Sequence, residues 1–478
     1  MLEIATTVGR PAVISDTELQ ALRTTMHGPL LRAADPEYDA ARVIFNGMFD
    51  RRPALILRCR GAADVMDAVQ FARKRHLVTA VRGGGHNVAG NATCDGGVVI
   101  DLSGMKGVFV DRQRRVAHIQ GGATWADVDR ETQAFGLATP GGIVSHTGVA
   151  GLTLNGGIGW LRNKYGLSCD NVLSAEVVTA DGHLLSASAT ENEDLFWALR
   201  GGGGNFGVVT SFEFQLHAVG PFVAAVFSFY PMAMARDVLK QWNSWLATAP
   251  DDVSSEIVLW TVPDVAALPP AVRGRAVAIA GAVYAGAAEE GMRVLRPLRE
   301  FGEPLAEIAD VMSYRTLQTA FDSFFPNTGE LISHWKSLYL DNLDNDAVEI
   351  MVDRAEHRSS PATMVFVQHL GGGIRRVRPD QTAFPVRDAG FIMNFTGTWR
   401  DARQNGQHVA WVRDAWERLA RSSGRTVYLN YLGQEERDAA ALVRSAFGVN
   451  YDRLVGVKTK YDPTNFFRLN QNIPPAPA

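Results

Sequence analysis

The sequence predicts an α+β fold with two contrasting halves. Three observations carry that expectation. Between residues 63 and 214, helix-periodic segments alternate with short strand-like runs. Glycines cluster where those runs end, at 83–85, 121–122, 141–142, 148–159 and 201–207, with one later group at 371–373. From about residue 220 the texture shifts to longer apolar-periodic runs, as at 233–246 and 409–420, which places a domain boundary near 215–220.

The elements follow in order. Residues 63–76 set Val65, Ala68, Val69 and Ala72 on one helical face. Residues 77–81 read as a strand running straight into glycines. Residues 98–102 form a short buried-strand candidate, and 115–120 alternate. Thr124 with Asp127 predicts a capping-box start for a helix through Phe135. Runs 173–179 and 184–187 flank Asp181-Gly182, a hairpin-turn signal. Residues 193–200 read as helix and 208–214 as strand.

Composition narrows the function. The 478 residues carry 47 Lys+Arg against 51 Asp+Glu, a net charge of −4, with 46% hydrophobic residues. That balance excludes a disordered chain. A pI near 6.3 gives no drive toward nucleic acid or anionic membrane, so neither is expected as a partner. No stretch reaches the roughly 18 apolar residues of a membrane span. Cys59, Cys94 and Cys169 are too few for a disulfide framework, and none pairs at metal-ligand spacing, so no metal is expected. The first residues lack a basic then apolar signal segment, which points to the cytoplasm.

The 46 glycines are the unusual number, and their clustering suggests loops that a ligand approaches closely. Arg82-Gly83-Gly84-Gly85-His86-Asn87 follows a strand. Consecutive glycines there expose backbone N–H groups in a concave nest suited to pyrophosphate, with Arg82 adding charge. No P-loop pattern exists. Gly202, Gly204 and Gly207 spell G-x-G-x-x-G, but between a helix and a strand, the reverse of the dinucleotide order. The long run from Gly148 to Leu161 leaves backbone bare enough for a large flat ligand.

Five motifs in order, VRGGGHNVAG, GVAGLTLNGGIGWL, YGLSCDNV, WALRGGGGNFGVV and the C-terminal YDPTNFFRLNQNIPP, resemble the FAD-linked oxidase superfamily of the vanillyl-alcohol oxidase (PCMH) fold. More narrowly, the chain is similar to the berberine bridge enzyme-like group, which includes 6-hydroxy-D-nicotine oxidase. The resemblance implies a PCMH-type, two-part FAD-binding domain over residues 1–218. It implies a substrate domain at 219–435, with an antiparallel sheet covered by helices, and a return to the FAD domain at 436–478. It implies FAD as cofactor, bonded through His86, with Gly83, Gly84, Gly85, Asn87, Ser103, Thr147, Gly148, Gly151, Asn155, Gly156, Gly157, Gly207, Val209 and Asn470 as further cofactor contacts beside Arg82.

The departures matter equally. Relatives with a second flavin link carry a cysteine where this chain has Val144, so a single bond through His86 is expected. A histidine often found near the flavin becomes Leu152, and His146 reads as a satisfied loop histidine. Thr147 occupies the oxygen-gating position, where a compact residue goes with oxidases. Tyr428-Leu429-Asn430-Tyr431 matches the Y-x-N-Y segment, which makes Tyr431 the expected base, with Tyr428 second. Asn394 is the expected helper, although Ile392 replaces the usual lysine. Residues 391–395 and Trp335 are expected pocket walls.

The reading is thus an FAD-dependent oxidase. It acts on a small hydrophobic alcohol, amine or aromatic metabolite, with dioxygen as the second substrate and hydrogen peroxide as product. The alternatives are a flavin dehydrogenase using another acceptor and a flavin-binding protein without turnover.

Overall fold

A computed structural model describes residues 1–435 and 439–477. Three principal sheets organise it. The first has four strands in the order Leu30–Leu31, Leu55–Arg58, Val98–Asp101, Thr79–Arg82, the last three parallel. Strands buried on both faces read as continuous apolar runs, which is why residues 55–58 and 98–100 are almost wholly aliphatic. The helix Ala62–Arg73 packs its Val65, Ala68, Val69 and Ala72 face into this core.

The second sheet is antiparallel, in the order Leu184–Ser188, Val172–Val178, Val208–Gln215, Val116–Gln120, Val108–Asp111. The expected hairpin is present, and Gly182 turns it at φ +83. The capping box also forms. The Asp127 carboxylate accepts from the Thr124 backbone N–H at 2.9 Å and from its hydroxyl at 2.8 Å, and the helix Trp125–Gln133 starts there.

The third sheet has seven antiparallel strands, all drawn from residues 222–399. Their order is Ala306–Ser313, Phe222–Pro231, Ala276–Tyr284, Val253–Thr261, Met364–His369, Phe391–Trp399, Ile332–Leu340. Side chains alternate across it. Ile257, Leu259, Ala278, Ala280, Val365, Val367, Met393 and Phe395 face the helices Ala235–Leu246, Asn345–Glu356 and Asn405–Ser423. The opposite face carries Phe227, Glu256, Val258, Trp260, Ile279 and Phe366 and turns toward the glycine loops.

The C-terminal helix Tyr451–Tyr461 returns to the first half. Its Lys458 ammonium is fully buried, donating to Asp462 at 2.6 Å and to the carbonyls of Asn205 and Phe467 at 2.8 and 3.0 Å. Asn205 in turn pairs with the backbone of Gln471 and Ile473. This network clamps the C-terminal segment onto the 201–207 glycine loop. Among the described residues, no helix is long and apolar enough to cross a membrane.

One buried carboxyl couples the two halves. Gln318, on the helix Tyr314–Thr319, donates to Asp129 at 3.0 Å and to the Gly142 carbonyl at 3.2 Å. Burial pushes the Asp129 pKa up to about 7, against the hydrogen bond from Gln318 and the charge of Arg315. The folded chain therefore holds a proton that the unfolded chain releases near pH 3.8. Stability is greatest at low pH for this group and falls as pH rises from about 4 to 7, by on the order of 4 kcal/mol across that window. Asp129→Asn is expected to remove that slope, so that urea midpoints at pH 5 and pH 8 converge relative to the parent.

Candidate functional site

One cavity runs between the glycine loops and the exposed face of the seven-stranded sheet. Its first wall includes Gly83–Asn87, Thr147, Gly148, Gly151, Asn155, Gly204, Gly207, Val209 and Asn470. Its second wall is aromatic and includes Phe227, Trp260, Phe324, Phe325, Trp335, Phe366 and Tyr431.

The loops of the first wall touch backbone to backbone. A methyl group on Gly84 would lie 2.4 Å from the Gly148 nitrogen, and one on Gly148 would lie 2.4 Å from the Gly84 nitrogen. Gly85 takes φ +73, which only glycine enters without strain. None of the backbone N–H groups of residues 83–87 has an acceptor among the described residues. Unpaired N–H groups along one glycine loop suit an anionic ligand. Farther along the same wall, the side-chain oxygens of Asn155 and Asn470 are buried without a donor. Side-chain atoms added at Gly151 and Gly204 would meet no protein atom and would project into open space. The wall thus offers donors for a pyrophosphate, orphan acceptors for a polar ring edge, and bare backbone for a flat ring. These residues fit FAD.

His86 stands at the junction of the walls. Its ring stacks on Phe45, with centroids 4.6 Å apart and planes 16° apart. Its Nε2 lies 2.7 Å from His146 Nδ1, and its Nδ1 lies 3.5 Å from the Thr147 hydroxyl. Burial, then the neighbouring His146, lowers the His86 pKa to about 3. The imidazole is therefore neutral at neutral pH, and one ring nitrogen keeps a lone pair for bond formation. Val144 lines the cavity, while Cys59, Cys94 and Cys169 are all buried outside it.

The structure separates the expected site residues into those it gathers and those it does not. Arg82 lies behind its loop. It donates to the Ala41 carbonyl, its Nε is buried unpaired, and burial lowers its pKa. Ser103 faces Asp101, with its hydroxyl at 2.9 Å, and does not reach the cavity. Gly156 and Gly157 serve packing instead. Their φ values are +109 and +92, and added methyls would strike the Phe384 ring at 2.8 Å and Ser168 at 2.3 Å. Gly207 does border the cavity, but its bareness is also steric, because a methyl would sit 2.7 Å from the Val178 carbonyl.

The expected acid–base groups need the largest revision. Tyr428 and Tyr431 bracket a short 3-10 turn, Leu429–Tyr431, and are not strand residues. The Tyr428 oxygen accepts from the Gly157 N–H at 3.0 Å and from Asn430 at 2.9 Å, so it braces the glycine loop and does not line the cavity. Tyr431 does line it. Its hydroxyl donates to Gln368 Oε1 at 3.4 Å, and burial, then Tyr428 and Glu256, push its pKa up against the weaker pull of Arg162. Burial thus favours the protonated phenol. Asn394 is 0% exposed and bonds to Thr396 at 3.1 Å, outside the cavity. Residues 391, 393 and 395 face the helices and Ile392 packs with Tyr428, so of the expected walls only Trp335 is one.

Two polar residues of the second wall escaped the sequence reading. Glu256 sits mid-strand on the cavity face, 3% exposed, and accepts from Gln368 Nε2 at 2.8 Å. Burial raises its pKa, while Arg162 and Gln368 act against the rise. The available signal was a lone carboxylate in the strand Val253–Thr261, directly before the apolar run 257–260. Asn430, from the matched Y-x-N-Y segment, also lines the cavity and donates to the Leu152 carbonyl at 3.0 Å.

A dinucleotide-shaped wall opposite an apolar chamber defines an FAD-dependent redox protein. Residues 53–188 match the family described as FAD binding domain, and residues 427–474 that described as berberine and berberine like. The chain belongs to the berberine bridge enzyme-like FAD-linked oxidoreductases. It is 32% identical over 459 residues to the FAD-linked oxidoreductase YgaK of Bacillus subtilis, covering 95% of this chain and 98% of that one. It is 31% identical over 457 residues to (R)-6-hydroxynicotine oxidase of Paenarthrobacter nicotinovorans, covering 94% and 97%. The crystal structure of 6-hydroxy-D-nicotine oxidase from Arthrobacter nicotinovorans aligns with a TM-score of 0.83 at 29% identity, over 94% of this chain and 98% of that one. The expected α+β, PCMH-type fold and the expected FAD-linked enzyme both hold.

Proposed function

We propose that this protein is an oxidase whose FAD is bonded to His86 alone, and that it acts on a small hydrophobic alcohol, amine or aromatic metabolite. The observation that carries the reading is the neutral His86, placed where the N–H nest meets the aromatic chamber. The backbone of residues 83–87 would hold the pyrophosphate, and Asn155 and Asn470 would accept hydrogen bonds from the cofactor. When bound, the flavin supplies a two-electron acceptor for a hydride from substrate carbon, and dioxygen restores it with release of hydrogen peroxide.

The protein's own residues do the rest. The aromatic wall excludes water and holds the apolar body of the substrate. Val144 offers no thiol, so no second bond competes with His86. Thr147 borders the cavity beside His86, and its compact side chain suits an oxidase. The test is the oxygen half-reaction. Holoprotein reduced anaerobically is expected to reoxidise within seconds of mixing with air, releasing one peroxide per turnover. Fast reduction followed by very slow reoxidation in air would overturn the oxidase and favour the dehydrogenase.

A further inference from the structure

The second wall of the cavity carries one buried carboxylate among its aromatic rings. Glu256 pairs across the sheet with Gln368 on one side and with Gly281 on the other. Gln368 donates its amide to one carboxylate oxygen and takes the Tyr431 hydroxyl on its own carbonyl. The other carboxylate oxygen has no hydrogen bond among the described residues. Gly281 has no side chain to cover it, and both residues line the cavity.

Arg162 is the cation that acts on Glu256, yet its guanidinium is committed elsewhere. It donates to the carbonyls of His369, Gly159 and Ser255 at 2.9, 3.0 and 2.6 Å. It makes no direct ion pair with Glu256. A buried carboxylate with a free oxygen therefore faces a chamber walled by Trp335, Phe366 and Tyr431. The rings stand edge to face, with Trp335 and Tyr431 centroids 6.0 Å apart and Phe366 and Tyr431 centroids 5.7 Å apart. A carboxylate acceptor among aromatic rings suits a cationic nitrogen, which donates, on an apolar body.

We propose that Glu256 determines specificity by binding the protonated nitrogen of an aromatic or other apolar amine, with Gln368 as the positioning residue that holds the carboxylate. This narrows the substrate class of the oxidase reading and rests on that reading for its relevance to turnover. It also changes the division of labour in the site. Tyr431 acts through Gln368 to orient the carboxylate, and the neutral alcohols become the poorer ligands.

The test uses holoprotein and three probes of one shape that have no hydride to give. These are benzamidine (cation), benzamide (neutral) and benzoate (anion), with affinities read by calorimetry. Benzamidine is expected to bind on the order of tenfold to a hundredfold more tightly than benzamide, with benzoate the weakest. In Glu256→Gln the advantage of benzamidine over benzamide is expected to vanish, while flavin content stays unchanged. Equal or tighter binding of benzamide by the parent protein overturns the proposal, as does a benzamidine preference that survives in Glu256→Gln. The parent ranking decides the matter even if the variant does not fold. Amines that bind but never bleach the flavin would count against the oxidase reading and leave the Glu256 assignment standing.

Discussion

His86→Ala is expected to convert a flavoprotein whose yellow colour stays with the acid-precipitated chain into one that releases all of its flavin to the supernatant. Under the proposed single link through His86, the effect is all or none. Val144 stands where a second thiol would be, and the three cysteines are buried away from the cavity. Bond formation needs an unprotonated nitrogen, and burial beside His146 keeps the His86 ring neutral with a pKa of about 3. The stack on Phe45 fixes the ring plane. The variant is expected to retain bound FAD, since the N–H nest, Asn155 and Asn470 are untouched. Release of free FAD from the denatured parent protein would remove His86 from the role assigned to it.

The second large effect concerns two glycines of different kinds. Gly84→Ala is expected to destabilise the fold by at least ~3 kcal/mol, because its methyl would enter backbone atoms of Gly148 that cannot move aside independently. Gly151→Ala is expected to leave stability within about 0.5 kcal/mol, because no protein atom lies near the new methyl. Gly151 lines the cavity, so the penalty should appear as lost flavin occupancy. Thermal melting of the two variants, read beside their absorbance near 450 nm, separates the outcomes. A Gly84→Ala protein that melts with the parent would show that the loops do not cross as described.

Much of the first half was legible along the chain. Its helices and strands are short and periodic, and their caps and turns are local. The Thr124–Asp127 box spans four residues, and the Asp181-Gly182 turn closes strands adjacent in sequence. The acid–base assignment was less legible. Tyr428 and Tyr431 sit three residues apart, yet one props a glycine loop and the other borders the cavity. Burial also raises both phenols, which a sequence pattern does not register.

The sequence by itself determined the α+β architecture, the FAD-linked family and the absence of a thiol at position 144. Those features rest on residue type and short spacing, which the linear chain carries directly. The tertiary structure alone decided which glycines fold the protein and which line the cavity, since steric crowding and ligand approach both require a missing side chain. It also joined Glu256 to Gln368, 112 residues away, by strand register. Register follows from the packing of a whole sheet, and only that packing turns a lone strand carboxylate toward the cavity.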